Sequence, residues 1–430
     1  MSKSLINELD ELTNALVITP ETADRIRAYY REKESKPGGR VVIVFGILGS
    51  LLVGMGIILI IAHNWDDLGK AVKLGIAFLP LVLGQAMCGY LLLKRSESTA
   101  WREGSATFLL FAIATSISIV SQVYNIHGNL ARFLLVWMLL SAPLIYAMRS
   151  SMVSMLFLIG ITWYACEVSY FHYLNEIAWA FWPLLAVVVP WYVGLIRTSP
   201  NSNFTYFHHW LVTASLTIVL GMFADQADEL IMLAYLCLFG IFILIGQFRP
   251  FAEGRTITNA YLVSGSLGSV ILMLTLSFEW YWQEIERLGI SNWIPSIEML
   301  GLLVLAAIAG WLLYRLTLVK KPVEIHVTSY VFLAALVLYV IGSQQPETAQ
   351  VLTNVIVLAM GVFTIRRGGL ANRLGILNYG LLIISALIVC RFFDTDLSFV
   401  VRGILFVLVG VGFFAANYWM VQRRKKQAES

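Results

Sequence analysis

Residues 57–75 read IILIIAHNWDDLGKAVKLG. The stretch leaves a long apolar run and lays down His63, Asn64, Trp65, Asp66 and Asp67 in succession. It then adds Lys70 and Lys73 and turns apolar again. A bilayer core is crossed by about 20 mostly apolar residues in a helix, and the runs on either side, 41–62 and 72–93, reach that length. The polar patch between them therefore reads as a hairpin turn at a membrane surface. Backbone in lipid must satisfy its own hydrogen bonds, which leaves helices or a closed barrel. Continuous apolar runs without strict alternation select helices.

The same pattern extends over the whole chain. Its 430 residues are 59% hydrophobic and only 13% charged, where a soluble domain carries about a quarter charged residues. Further apolar runs fall at 106–123, 133–147, 151–166, 178–193, 210–223, 230–245, 260–278, 297–318, 327–341, 348–365, 374–390 and 397–418. Together they predict an all-α fold, a polytopic transmembrane bundle of about 14 helices. Residues 37–420 form this membrane domain and 421–430 a basic tail.

Residues 1–36 are the one stretch suited to folding in water. Leu5, Leu9, Leu12 and Leu16 recur at helical spacing, and Thr19-Pro20-Glu21 has the composition of a helix start. A short N-terminal helical hairpin is expected there, too small to bury much by itself. The polar opening predicts no cleavable signal peptide.

Charge sets the expected orientation. Assigned to alternate sides of successive spans, 24 of the 30 Lys and Arg fall on the side of both termini. Positive residues concentrate in cytoplasmic loops, so both termini are expected in the cytoplasm. The opposite face gathers acids, Asp66, Asp67, Asp394 and Asp396 among them.

Three hairpins on that outer face share a pattern of helix, aromatic with polar or acidic residues, short turn, base, helix. They are centred on Asn64-Trp65-Asp66-Asp67, on Gln122 with Tyr124 and His127, and on the stretch from Arg391 through Asp394 to Arg402. Aromatic rings suit the headgroup level, and an acid at a helix start opposes the dipole of that helix. Boundary carboxylates also mark solute or ion paths in membrane proteins. Asn64, Trp65, Asp66, Asp67, Gln122, Tyr124, His127 and Asp394 are accordingly the candidates for a polar outer-side site, with anchoring and capping as their competing use. Residues 279–288 read as an amphipathic helix lying on the outer surface, with Trp280 and Trp282 at the interface.

No nucleophile elbow, zinc-protease, P-loop or dinucleotide motif occurs. The four cysteines are isolated, which predicts neither a disulfide frame nor a metal site. No enzyme activity, cofactor, metal or nucleic-acid partner is expected. A transferase using lipid-linked donors would need a long outer loop where this chain has a turn.

Ala62-His63-Asn64-Trp65-Asp66 resembles the A-x-N-W-D signature of the DUF2157 family of predicted bacterial membrane proteins. Residues 122–128 with Trp137, and residues 17–26, are similar to that family as well. The resemblance covers roughly residues 5–150 and implies a bacterial inner-membrane setting without a mechanism. Where a histidine is expected after the tyrosine, this chain has Asn125. Two functions are then expected: binding or transport of a lipid-like or small polar solute, or a scaffold whose residues 1–36 recruit a cytoplasmic partner. Membrane lipids are partners in either case.

Overall fold

A computed structural model describes residues 9, 12–35, 65–94, 98–171, 177–224, 228–253, 256–288, 296–321 and 324–394, with isolated positions from 403 to 422. Its regular structure is helical throughout these residues. The chain divides into two compact units, Met1–Ile76 and Ala77–Ser430.

In the first unit, helix α1 (Pro20–Ser35) starts where the sequence marks it. Thr19 accepts the N–H of Thr22 on its side-chain oxygen at 3.3 Å, with Pro20 tolerated at the first helical position. Leu9 and Ala23 are buried. Most of the expected preceding helix, and residues 36–64, lie outside the described residues.

Helix α2 (Lys70–Lys94) begins in the first unit and continues into the second. There follow α3 (Thr99–Val123), α4 (Leu130–Ala147), α5 (Ser151–Ser169), α6 (Phe181–Thr198) and α7 (Asn203–Leu220). Next come α8 (Asp228–Ile245), α9 (Ala260–Thr275), α10 (Glu279–Leu288) and α11 (Ile297–Val319). The series ends with α12 (Val331–Gly342), α13 (Pro346–Leu370) and α14 (Leu374–Asp394).

Nine helices among the described residues are long and apolar enough to cross a membrane, or ten if α9 and α10 form one bent span. This is fewer than the expected 14. Residues 41–62 and most of 397–418 lie outside the described residues. Two other expected spans are short helices, Glu229–Ile245 and Val327–Gly342. At 1.5 Å per residue the first is about 25 Å long, short of the roughly 30 Å hydrocarbon core. Its sequence is apolar all round because protein covers it all round, from Leu230 through Leu244.

The outward faces of the long helices stay apolar. Val82, Leu83, Leu303, Val304, Val355 and Val362 are each at least half exposed. Apolar surface repeated along several long helices belongs against lipid. This is a multi-pass membrane protein.

Two cores fill the second unit. Met138, Phe157, Ile161 and Phe181 lie in a core drawn mainly from α3 to α7. Trp282, Phe332, Tyr339 and Met360 lie in a core drawn from α8 to α14. A smaller cluster of Tyr192, Phe242 and Tyr261 ties α6 to α8 and α9. Close approach depends on missing side chains. A Cβ on Gly265 would meet the Phe239 carbonyl oxygen at 2.6 Å, and one on Gly380 would meet the Ile365 nitrogen at 2.6 Å. Small residues at such crossings let membrane helices pack backbone to backbone.

The helix expected to float on the outer surface does not float. Helix α10 turns 77° from α9 and buries Tyr281, Trp282 and Ile285, leaving Trp280 exposed. The Trp282 indole donates to the Leu276 carbonyl at 2.6 Å and lies against Gly342. Its amphipathic stripe meets protein rather than headgroups.

Candidate functional site

The expected site residues fall in three places. Trp65, Asp66 and Asp67 form a turn in the first unit, with both carboxylates exposed. The Lys73 ammonium sits 5.2 Å from the Trp65 ring centroid, a cation–π arrangement that fixes the indole at the start of α2. Asn64 lies outside the described residues. In the second unit Gln122, Tyr124 and His127 are brought together at the α3–α4 hairpin and are exposed. There Asn125 adopts a left-handed φ of 49°, and Asn129 accepts the Arg132 N–H at 2.8 Å to start α4. The cap in this hairpin is thus an asparagine, where the other two turns carry aspartates. Asp394 ends α14.

A different group of polar side chains is buried where α6 ends and α7 and α9 begin. It is built by α7, which reads NFTYFHHWLVTASLTIVL and starts at Ser202, whose hydroxyl accepts the Thr205 N–H at 3.1 Å. One and a half turns on, His208 and His209 are both buried. Consecutive helical residues point about 100° apart, so the two rings serve different neighbours. His208 Nδ1 donates to the Phe204 carbonyl at 2.7 Å. Because that carbonyl only accepts, Nδ1 carries the proton and Nε2 accepts from Ser154 on α5 at 3.0 Å.

His209 faces the aromatic side. Its Nδ1 lies 2.5 Å from the Tyr192 hydroxyl, and that hydroxyl lies 2.9 Å from the Tyr261 hydroxyl. Rings of Tyr192, Tyr206, Phe251 and Tyr261 surround the imidazole, that of Phe251 nearest at 5.0 Å between centroids. Among the described residues, His209 Nε2 has no hydrogen-bond partner. His209 lines a small cleft with Asn201, Thr205, Tyr206, Phe251 and Thr258.

The arrangement has two chemical capacities. Three exchangeable groups in line, Tyr261, Tyr192 and His209, can reverse their donor directions together. An imidazole edge framed by aromatic faces can also receive a small polar or cationic group. The cleft's enclosed space is nearer one water than a drug-sized ligand, so it fits a small group and not a bulky solute. None of the eight residues expected from the sequence lines it. The adjacent His208-His209 pair inside an apolar run was the available signal, since the whole chain has only six histidines. Among the described residues, no cluster of His, Cys, Asp and Glu could hold a metal ion.

No curated protein and no solved structure matches the chain. A family model does match, over a segment that includes the Trp65–Asp67 turn and the α3–α4 hairpin but stops short of His209. Residues 10–154 match the family described as Predicted membrane protein (DUF2157), which bears out the resemblance over the third of the chain that carries the Asn-Trp-Asp turn.

Proposed function

We propose that the protein is a non-enzymatic, multi-pass protein of the bacterial inner membrane, with cytoplasmic termini, that binds a small polar solute or a lipid headgroup. The observation that carries the reading is the His209 cleft, a polar recess at the end of otherwise apolar helices. Buried polar groups inside a membrane bundle are costly and tend to line solute paths. By the distribution of Lys and Arg, this recess opens toward the cytoplasm, because the loops that flank it carry Arg197, Arg249 and Arg255. Asp66 and Asp67, exposed in the first unit, stay the sequence's own candidates for solute contact, and transport is the stronger form of the proposal.

The test is flux in proteoliposomes, with small amines, amino acids and fluorescent phospholipids as probes. His209→Gln and Tyr192→Phe should each lower movement of whichever probe the wild type carries, and Asp66→Asn should lower it too. Wild-type rates in His209→Gln would remove the cleft from the path. Absence of movement for every probe in the wild type would remove transport, and direct binding to detergent-solubilised protein would then decide the remainder.

A further inference from the structure

The ends of α11, α13 and the α13–α14 turn bring three cations together away from the His209 cleft. Lys320 follows the last residue of α11 and donates from Nζ to the Gln247 carbonyl at 2.9 Å. Arg367, near the end of α13, reaches the Glu324 carbonyl with Nη2 at 3.5 Å, while its Nη1 is buried without a hydrogen-bond partner. Arg373, exposed at the start of α14, acts electrostatically on Arg367. Its placement comes from a tight turn in which Asn372 takes a left-handed φ of 53° and the Arg373 N–H returns to the Gly368 carbonyl at 2.9 Å.

Nothing among the described residues neutralises this group. Glu324 is within electrostatic range of Lys320, yet no carboxylate forms an ion pair with Lys320, Arg367 or Arg373 among those residues. Burial, and then the Arg367 charge, push the Lys320 ammonium below its ordinary value. Like charges drawn together and partly desolvated oppose folding unless an anion joins them.

We propose that Lys320, Arg367 and Arg373 form a binding site for a phosphate group. Phosphate offers several strong acceptor oxygens, which match the two-pronged guanidinium and the point charge of an ammonium. The buried Arg367 Nη1 supplies a donor in need of an acceptor. Three membrane-length helices end here, which puts the cluster at the depth of lipid phosphates, and it lies on the side expected to face the cytoplasm. Basic pockets between transmembrane helices on that side hold anionic headgroups. The phosphate can therefore belong to a phospholipid or be free in solution.

Purified full-length protein in a neutral detergent would be titrated with fluorescent phosphatidylglycerol, with phosphatidylcholine as the zwitterionic control and inorganic phosphate as competitor. Arg367→Gln and Arg373→Gln should each weaken phosphatidylglycerol binding about fivefold, and the pair together about 25-fold. Arg287→Gln should leave binding unchanged. Competition by millimolar inorganic phosphate would identify free phosphate as a sufficient ligand, whereas binding of phosphatidylglycerol without such competition would identify the headgroup. Equal affinity in the wild type and the double variant overturns the proposal, as does binding of neither anion by the wild type. Arg373 is exposed, so Arg373→Gln alone keeps the test valid should Arg367→Gln misfold.

Discussion

The Glu103 carboxylate lies 2.9 Å from the backbone nitrogen of Ser151 and accepts its N–H, so a side chain of α3 caps the start of α5. Its second oxygen accepts from Met152 N–H at 2.9 Å and from the Ser150 hydroxyl. Ser150 in turn accepts the Val153 N–H at 3.2 Å. The first N–H groups of a helix have no partner within it and carry positive partial charge. One carboxylate here satisfies two of them and locks two helices in register.

Removal of that carboxylate should be felt as lost stability and not merely as lost charge. Glu103→Ala leaves two N–H groups and a hydroxyl in a partly buried place without an acceptor. Hydrogen bonds to charged groups contribute about 1.5–3 kcal/mol, and a loss in that range is expected in detergent unfolding. Glu103→Gln keeps one acceptor oxygen and should cost less. Equal unfolding midpoints for wild type and Glu103→Ala would mean that water replaces the cap without penalty.

Among the described residues, Trp282 is the largest fully buried side chain, and its ring occupies the space that Gly342 leaves open. Trp282→Ala should cost about 3–5 kcal/mol, the usual range for emptying a buried aromatic site. Trp282→Phe retains most of the ring and gives up the indole bond to Leu276, so it should cost about 1 kcal/mol more than an isosteric loss alone. Were α10 resting on headgroups instead, Trp282→Ala would alter membrane depth with little change in unfolding, and quenching of the remaining indoles by lipid-borne probes would separate the two.

Trp282 also shows where sequence stops being informative. Apolar runs locate α2 to α7, α11, α13 and α14 because about 20 uncharged residues have few alternatives in a chain of this composition. The amphipathic pattern of Glu279–Leu288 correctly marks which face is apolar, but periodicity does not say whether that face meets lipid or protein. Helix α8 fails in the same way: composition alone does not separate an all-apolar helix buried in protein from one that spans. The exposed turns at Asp66 and His127 were legible as polar punctuation. The His209 cleft was not, because Tyr192, His209, Phe251 and Tyr261 come from separated parts of the chain and gain their meaning only when α6, α7 and α9 meet. Glu103 was hidden for the same reason, since it caps a helix that starts at Ser151.

Stability should also depend on pH through His326, which lies just before the Val327–Tyr330 turn, outside the long spans. Its backbone N–H donates to Gln247 Oε1 at 2.9 Å, fixing the ring beside Lys320 and Arg367. Burial first, and then the charges of Arg367 and Lys320, push the imidazole from its ordinary 6.5 to about 3. The unfolded chain thus takes up a proton near pH 6.5, which the folded chain refuses until about pH 3. Between those values the unfolded state holds more protons, so stability is complete above pH 6.5 and falls as pH drops toward 3. The loss approaches at most about 1.4 kcal/mol per pH unit. Unfolding midpoints measured at pH 7, 6 and 5 should fall in the wild type, and the slope should be shallower in His326→Gln. Identical slopes would mean that the ring is hydrated, and that the cations at the ends of α11 and α13 do not act on it.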